Sequence, residues 1–254
     1  MPFPVHPDQV AMLALVVARV APLVIVAPIF GSRNVPLHLR LLLAVVLGLL
    51  VSPLWLNTSA GAFQGAPALV LALAAEAVIG LSLGLAVLII FHGAELAGRL
   101  IGQTGGLVLS DGAGGELPGG AAVPAQLLYL VALAIFVAMG GHRQVVGALL
   151  ESFQSMPPGS SLMPIRVTAA TTNLLAGSFQ LAIRTAAPVI IALLMANLAI
   201  GVLSRGVPQL NSLFVGFGLN VFIILAALLF SISAMTYLFG NHVESQLQLW
   251  QQQL

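Results

Sequence analysis

Lysine and cysteine are both absent from this chain. Without lysine nothing can take the phosphates of a P-loop, so nucleotide hydrolysis by that route is excluded. Without cysteine there is no disulfide and no thiolate metal site, and the composition is silent on redox compartment. Charge of either sign is also scarce. Only 6% of the 254 residues are charged, where a soluble domain carries about 25%. So few charges could not cover a water-facing surface, so the chain is integral to a membrane or buried in a large assembly. All eight basic residues are arginines, spread singly. With no basic cluster to follow a phosphate backbone, no nucleic-acid partner is expected. The N-terminal MPFPVHPDQV has three prolines and no positive n-region, unlike a cleavable signal peptide.

What is present is apolar. Hydrophobic residues make up 59% of the chain, and they gather in about six runs: 10–30, 41–56, 69–91, 123–139, 181–203 and 213–239. Each approaches the roughly 20 residues that a bilayer span needs. Several are short, and most contain proline, glycine or a charge. Pro22, Pro188 and Gly201 should kink or loosen their helices. Broken helices at membrane depth need protein or a water-filled cavity over the freed backbone. These helices should therefore face other helices more than lipid. Residues 145–153 read as a short amphipathic helix stopped by 156–164, and 168–179 as a more polar helix leading into the fifth run. The expectation is an all-α, hydrophobic, membrane-associated protein of kinked or broken helices, one domain over 1–254. The arginines do not orient it. Arg33, Arg40, Arg99 and Arg205 on one set of loops nearly balance Arg143, Arg166 and Arg184 on the other, so the positive-inside rule yields no topology.

The stretch 98–120 organises the rest. It holds nine of the chain's 26 glycines, so its backbone is unusually free. Gly98, Gly102 and Gly106 share one helical face and should permit close packing. The second half cannot be a stable helix. It reads Ser110, Asp111, Gly112, Ala113, Gly114, Gly115, and then Glu116, Leu117, Pro118, Gly119, Gly120. Each interior glycine costs up to about 1 kcal/mol in a helix and proline about 3. This is a loop between apolar segments, either a solvated connection or something held inside a cavity.

Catalytic patterns fare poorly. Gly80-Leu81-Ser82-Leu83-Gly84 matches a nucleophile elbow, but that motif needs a strand-to-helix turn. Here it lies inside a long apolar helix, where Gly80 and Gly84 make a packing face. His92 lies too far along that helix to serve Ser82, and His142 is remote. None of the five histidines has a metal-ligand spacing, so no metal site is expected, and no cofactor is expected either. Arg19 and Glu76 are charges inside apolar runs. Three environments are open to them: each other, a neighbouring subunit, or water.

The order of several motifs resembles the FliR family, the export-gate component of flagellar type III secretion, with injectisome relatives as close cousins. The resemblance covers nearly the whole chain. Ala27-Pro28-Ile29-Phe30-Gly31 with Arg33-Asn34-Val35-Pro36 resembles the family's first loop. Ala97-Gly98 and Ile101-Gly102 precede the central loop. Gly141-His142, Leu150-Glu151-Ser152-Phe153 and Pro157-Pro158-Gly159 follow it. Ala187-Pro188-Val189, Asn197-Leu198-Ala199 with Gly201, Arg205 with Pro208-Gln209-Leu210-Asn211, and Gly216-Phe217 resemble its C-terminal signature. Two departures stand out. Asp111-Gly112 replaces the frequent Asp-Pro, and Gly218 replaces the proline of Gly-Phe-Pro, with no lysine after it. A role tied to that lysine is not carried over.

The resemblance implies a non-enzymatic subunit of the bacterial inner membrane and flagellar basal body. It implies P-type and Q-type gate subunits and an FlhB-type switch protein as partners, packed in a closed helical assembly that passes exported flagellar proteins. Residues up to about 180 would resemble a P-type subunit and 181–254 a Q-type hairpin. The loop 110–120 would plug the pore. Gly98, Gly102, Gly106, Arg205, Pro208, Gln209, Asn211, Gly216 and Phe217 would serve packing and assembly. The alternatives are an injectisome gate subunit or a small-molecule or ion transporter, although no internal repeat of the transporter kind is evident.

Overall fold

A computed structural model describes residues 7–28, 35–54, 66–106, 123–159, 166–206, 216–227 and 229. Among them every regular element is helical: α1 (Pro7–Val26), α2 (Leu37–Val51) with a 3-10 turn (Ser52–Leu54), α3 (Ala66–Thr104), α4 (Val123–Ala138), α5 (Gly141–Ser155), α6 (Arg166–Gly206) and α7 (Gly216–Ala227). The all-α expectation holds. By length and composition α1, α3 and the 172–206 part of α6 could each cross a membrane, and α4 with α5 would make a fourth as a broken pair. The runs at α2 and α7 are helical but shorter than a span.

Local chemistry sets the ends. Pro7 opens α1, where a missing N–H is harmless. Pro36 caps α2 through its carbonyl, which accepts the Leu39 N–H at 3.0 Å. Gly140 separates α4 from α5 with φ 72°, a left-handed conformation that glycine adopts without strain. Residues 168–179 and 181–203 are not two helices but one, α6, 41 residues long. Nothing between them, such as Gly or Pro, interrupts the hydrogen-bond ladder. Helices α1 and α6 also run through Pro22 and Pro188. Each proline removes one bond, and the turns on either side hold the rest.

The chain divides into two compact units. The first draws on Met1–Ile89 and Gly140–Leu174, the second on Ile90–Met139 and Leu175–Ser245. In the first unit α1 is the centre, with Leu15, Val16 and Val20 completely buried. Small residues bring neighbours onto it. A Cβ on Gly48 of α2 would stand 2.6 Å from Val17 Cγ2, and one on Gly80 of α3 would overlap the Arg19 carbonyl. The Gly80–Gly84 face is therefore a packing face. Helix α5 buries Val145, Ala148, Leu149, Ser152 and Phe153, the spacing of one amphipathic face.

In the second unit the end of α3 packs on α4. Phe91 stacks obliquely on Tyr129 and Phe136, with ring centroids 5.9 and 5.2 Å away. Gly98 lies so close to α4 that a Cβ would overlap Pro124 and Ala125 backbone. A Cβ on Gly93 would sit 2.8 Å from the Ser178 carbonyl oxygen of α6.

Candidate functional site

The most elaborate polar site is in the first unit. Arg19 of α1 is completely buried and Glu76 of α3 is 3% exposed. The Arg19 Nε donates to Glu76 Oε2 at 2.5 Å. Its Nη1 donates to the Ser152 carbonyl at 2.9 Å and to Ser152 Oγ at 3.3 Å, and its Nη2 to the Met156 carbonyl at 3.0 Å. Glu76 Oε1 accepts the Gly159 N–H at 2.9 Å. The guanidinium also lies 4.3 Å from the centre of the Phe153 ring, a cation–π distance. The three environments open to these charges reduce to one: they pair with each other.

Geometry explains why both charges are tolerated. Ser152 and Met156 lie at the C-terminal end of α5, where unpaired carbonyls and the helix dipole favour a cation. The planar fork of arginine meets a carboxylate on one side and two carbonyls on the other, which a lysine could not do. Ser152 Oγ is free to accept because its own hydrogen goes to the Leu149 carbonyl at 2.7 Å. The result is a charge-balanced hub joining α1, α3, α5 and the turn after α5. Sequence reasoning does not link Ser152, Phe153 and Gly159 to the pair. The only signal they carry is their place in the stretches 150–153 and 157–159.

Ser82 is not a nucleophile in this setting. Its Oγ donates to the Ile79 carbonyl at 2.7 Å within α3. His92 instead faces Glu95, with Nδ1 2.8 Å from Oε2, and Arg99 Nη2 donates to Glu95 Oε1 at 2.6 Å. His92 and Arg99 are more than half exposed, so this trio is a polar collar where α3 leaves its apolar run.

The residues expected to serve packing and assembly, where they are described, lie in the second unit. Gly98 makes its close approach to α4, and Gly102 is buried. Gly106 makes no such close approach among the described residues. It is exposed, has φ 71° and has no atom within 4 Å of an added Cβ. It ends the helix, and the close approach here is made by Gly105, whose Cβ would overlap Ile224 of α7. Arg205 is exposed in the last turn of α6. Gly216 opens α7 with a Cβ position 3.7 Å from Ile200 Cδ1, and Phe217 is exposed. Asn220 of α7 donates to Asn197 Oδ1 of α6 at 2.9 Å. The loop 110–120 and Pro208, Gln209 and Asn211 lie outside the described residues.

A model of the family described as bacterial export proteins, family 1, matches residues 10–246. The chain belongs to this family. A flagellar biosynthetic protein FliR of Caulobacter vibrioides is 28% identical over 243 residues, covering 95% of this chain and 96% of that relative. Another of Pectobacterium carotovorum is 34% identical over 209 residues, with 80% of this chain and 77% of the relative covered. The secretion system apparatus protein SsaT of Salmonella typhimurium is 29% identical over 160 residues, 61% of each chain. The FliR-family motifs acquire physical content here. The stretches 150–153 and 157–159 supply Ser152 to Arg19 and Gly159 to Glu76, and Ala97-Gly98 lets α3 touch α4.

Proposed function

We propose that this export protein is a subunit of the flagellar type III protein export gate. In this reading it acts without catalysis, as part of a channel for unfolded flagellar subunits at the bacterial inner membrane. Its partners are P-type and Q-type gate subunits and an FlhB-type switch protein. Residues up to about 180 correspond to the P-type part and 181–254 to the Q-type hairpin. The observation that carries this is the end-to-end likeness to a flagellar relative, against a likeness to the secretion apparatus relative over a smaller part of both chains. Two physical features agree with it. The buried charges are spent on holding helices together, and large apolar surfaces on α2, α6 and α7 are left uncovered.

The loop 110–120 is the plug in this reading. Its glycines fold compactly in a narrow space, and Asp111 and Glu116 stay hydrated or bonded to facing backbone. Polar contacts of about 1 kcal/mol each are weak enough for an arriving substrate to displace. Deleting 112–115 should leave the assembly intact and make cells leaky to ions or small solutes. The test is conductance together with copurification of the P-type and Q-type subunits. A tagged chain that brings down neither subunit would overturn the gate assignment. An intact, tight and fully exporting deletion would make the loop a plain connection.

A further inference from the structure

Helix α6 carries a seam that the described residues leave bare. Starting at Arg184, every seventh residue is Arg184, Ile191, Leu198 and Arg205. Pro188, Met195 and Val202 fall between them, so the steps alternate four and three. The four apolar positions in the middle, Ile191, Met195, Leu198 and Val202, have the four-three spacing of a helix that packs along another helix, and arginines stand at the two ends. All seven are exposed, with Ile191, Met195, Leu198 and Val202 each at 61–66%. Helix α7 does not cover them. It meets α6 at Asn197 and Ile200, on the other side of the helix by the 100° step per residue.

The charges at the seam ends say what can lie there. Arg184 and Arg205 are about 31 Å apart along the axis. Neither side chain pairs with an acid among the described residues. A second copy of this seam is a poor occupant. Parallel pairing sets Arg184 against Arg184, and antiparallel pairing sets it against Arg205, like charge on like in both cases. Lipid is disfavoured at one end. Pro188 has no N–H, so the Arg184 carbonyl loses its helical partner, and freed backbone at membrane depth needs protein cover. We infer that the seam from Arg184 to Arg205 docks an apolar helix of a different protein chain, one that carries a carboxylate opposite at least one terminal arginine. This deepens the gate reading, on which it rests, by assigning one helix face to a hetero-partner.

The test uses the full chain in cells that hold the complete export apparatus. A photo-cross-linking residue replaces Ile191 or Leu198, with Leu203, roughly 100° round the helix from Val202, as the off-seam control. The expected adduct at 191 and 198 is to another protein, through a peptide that maps to an apolar helix-length segment containing Asp or Glu. It should be several-fold weaker at 203. Arg184→Glu should lower the adduct about tenfold or more, Arg184→Lys should retain most of it, and reversing the mapped acid to arginine should restore it in the Arg184→Glu background. Adducts to lipid only, adducts to a second copy, or a yield unchanged by Arg184→Glu would overturn the inference. Copurification of the unsubstituted chain with flagellar export proteins is read from the same cells. Its failure would remove the gate reading, whereas the cross-links decide the seam alone.

Discussion

At the scale of single residues, the buried pair decides how the first unit responds to substitution. Glu76→Ala leaves the Arg19 guanidinium buried without its counter-charge and removes the carboxylate oxygen that accepts the Gly159 N–H. Breaking one side of a buried pair destabilises by about 3–5 kcal/mol. Arg19→Ala should do similar damage, because it leaves the Glu76 carboxylate buried without its counter-charge and removes the donor to the Met156 carbonyl. The double variant Arg19→Met with Glu76→Leu buries no bare charge and should be more stable than either single alanine variant. Thermal unfolding of the purified protein with its partners, in mild detergent, ranks the three. A double variant no better than the worse single would show that the hub is not a coupled unit. Sequence makes part of this legible, since a lone acid and a lone arginine in apolar runs demand an explanation. It cannot select the pairing, because Ser152, Met156 and Gly159 are distant in the chain and carry no charge of their own.

At the scale of elements, glycines set how closely helices approach. Gly80 and Gly98 each stand where a Cβ would enter the backbone of a neighbouring helix. No rotamer change relieves that, so the helices must separate. Gly80→Ala and Gly98→Ala should each cost about 1–3 kcal/mol or more by overpacking. Gly147 lies inside α5 with nothing within 4 Å of its added Cβ, and Gly147→Ala should be neutral or stabilise by up to about 1 kcal/mol. Complex yield and melting temperature check this order, and equal effects at 80 and 147 would contradict it. The four-residue spacing of Gly98 and Gly102 is enough to mark the packing face from sequence. The spacing does not reveal where α3 ends. The Gly105 N–H still bonds the Ile101 carbonyl, while Gly106 turns to φ 71°, so the contact falls one residue earlier than periodicity suggests. The continuity of α6 is also hidden in the sequence, because a change from polar to apolar composition does not break a helix.

At the scale of the whole molecule, the composition points to an all-helical chain short of charge and in need of company. Leu42 and Leu50 on α2, Leu198 on α6 and Phe222 on α7 are each more than half exposed. Left against water alone, such surfaces would drive aggregation. The isolated chain should therefore be poorly behaved in detergent, and coexpression with its gate partners should yield a homogeneous complex by size-exclusion chromatography. A homogeneous, stable lone monomer would count against this. The arginines supply no topology, because their near balance across alternate loops is a property of the sequence itself. The central claim is that this chain is a working part of the flagellar export gate. The most direct measurement is the amount of flagellar subunit exported to the medium by cells in which this chain is depleted and then restored. The account predicts that export stops on depletion, with subunits retained in the cell, and returns with the chain. Continued export at the original rate in its absence would contradict it.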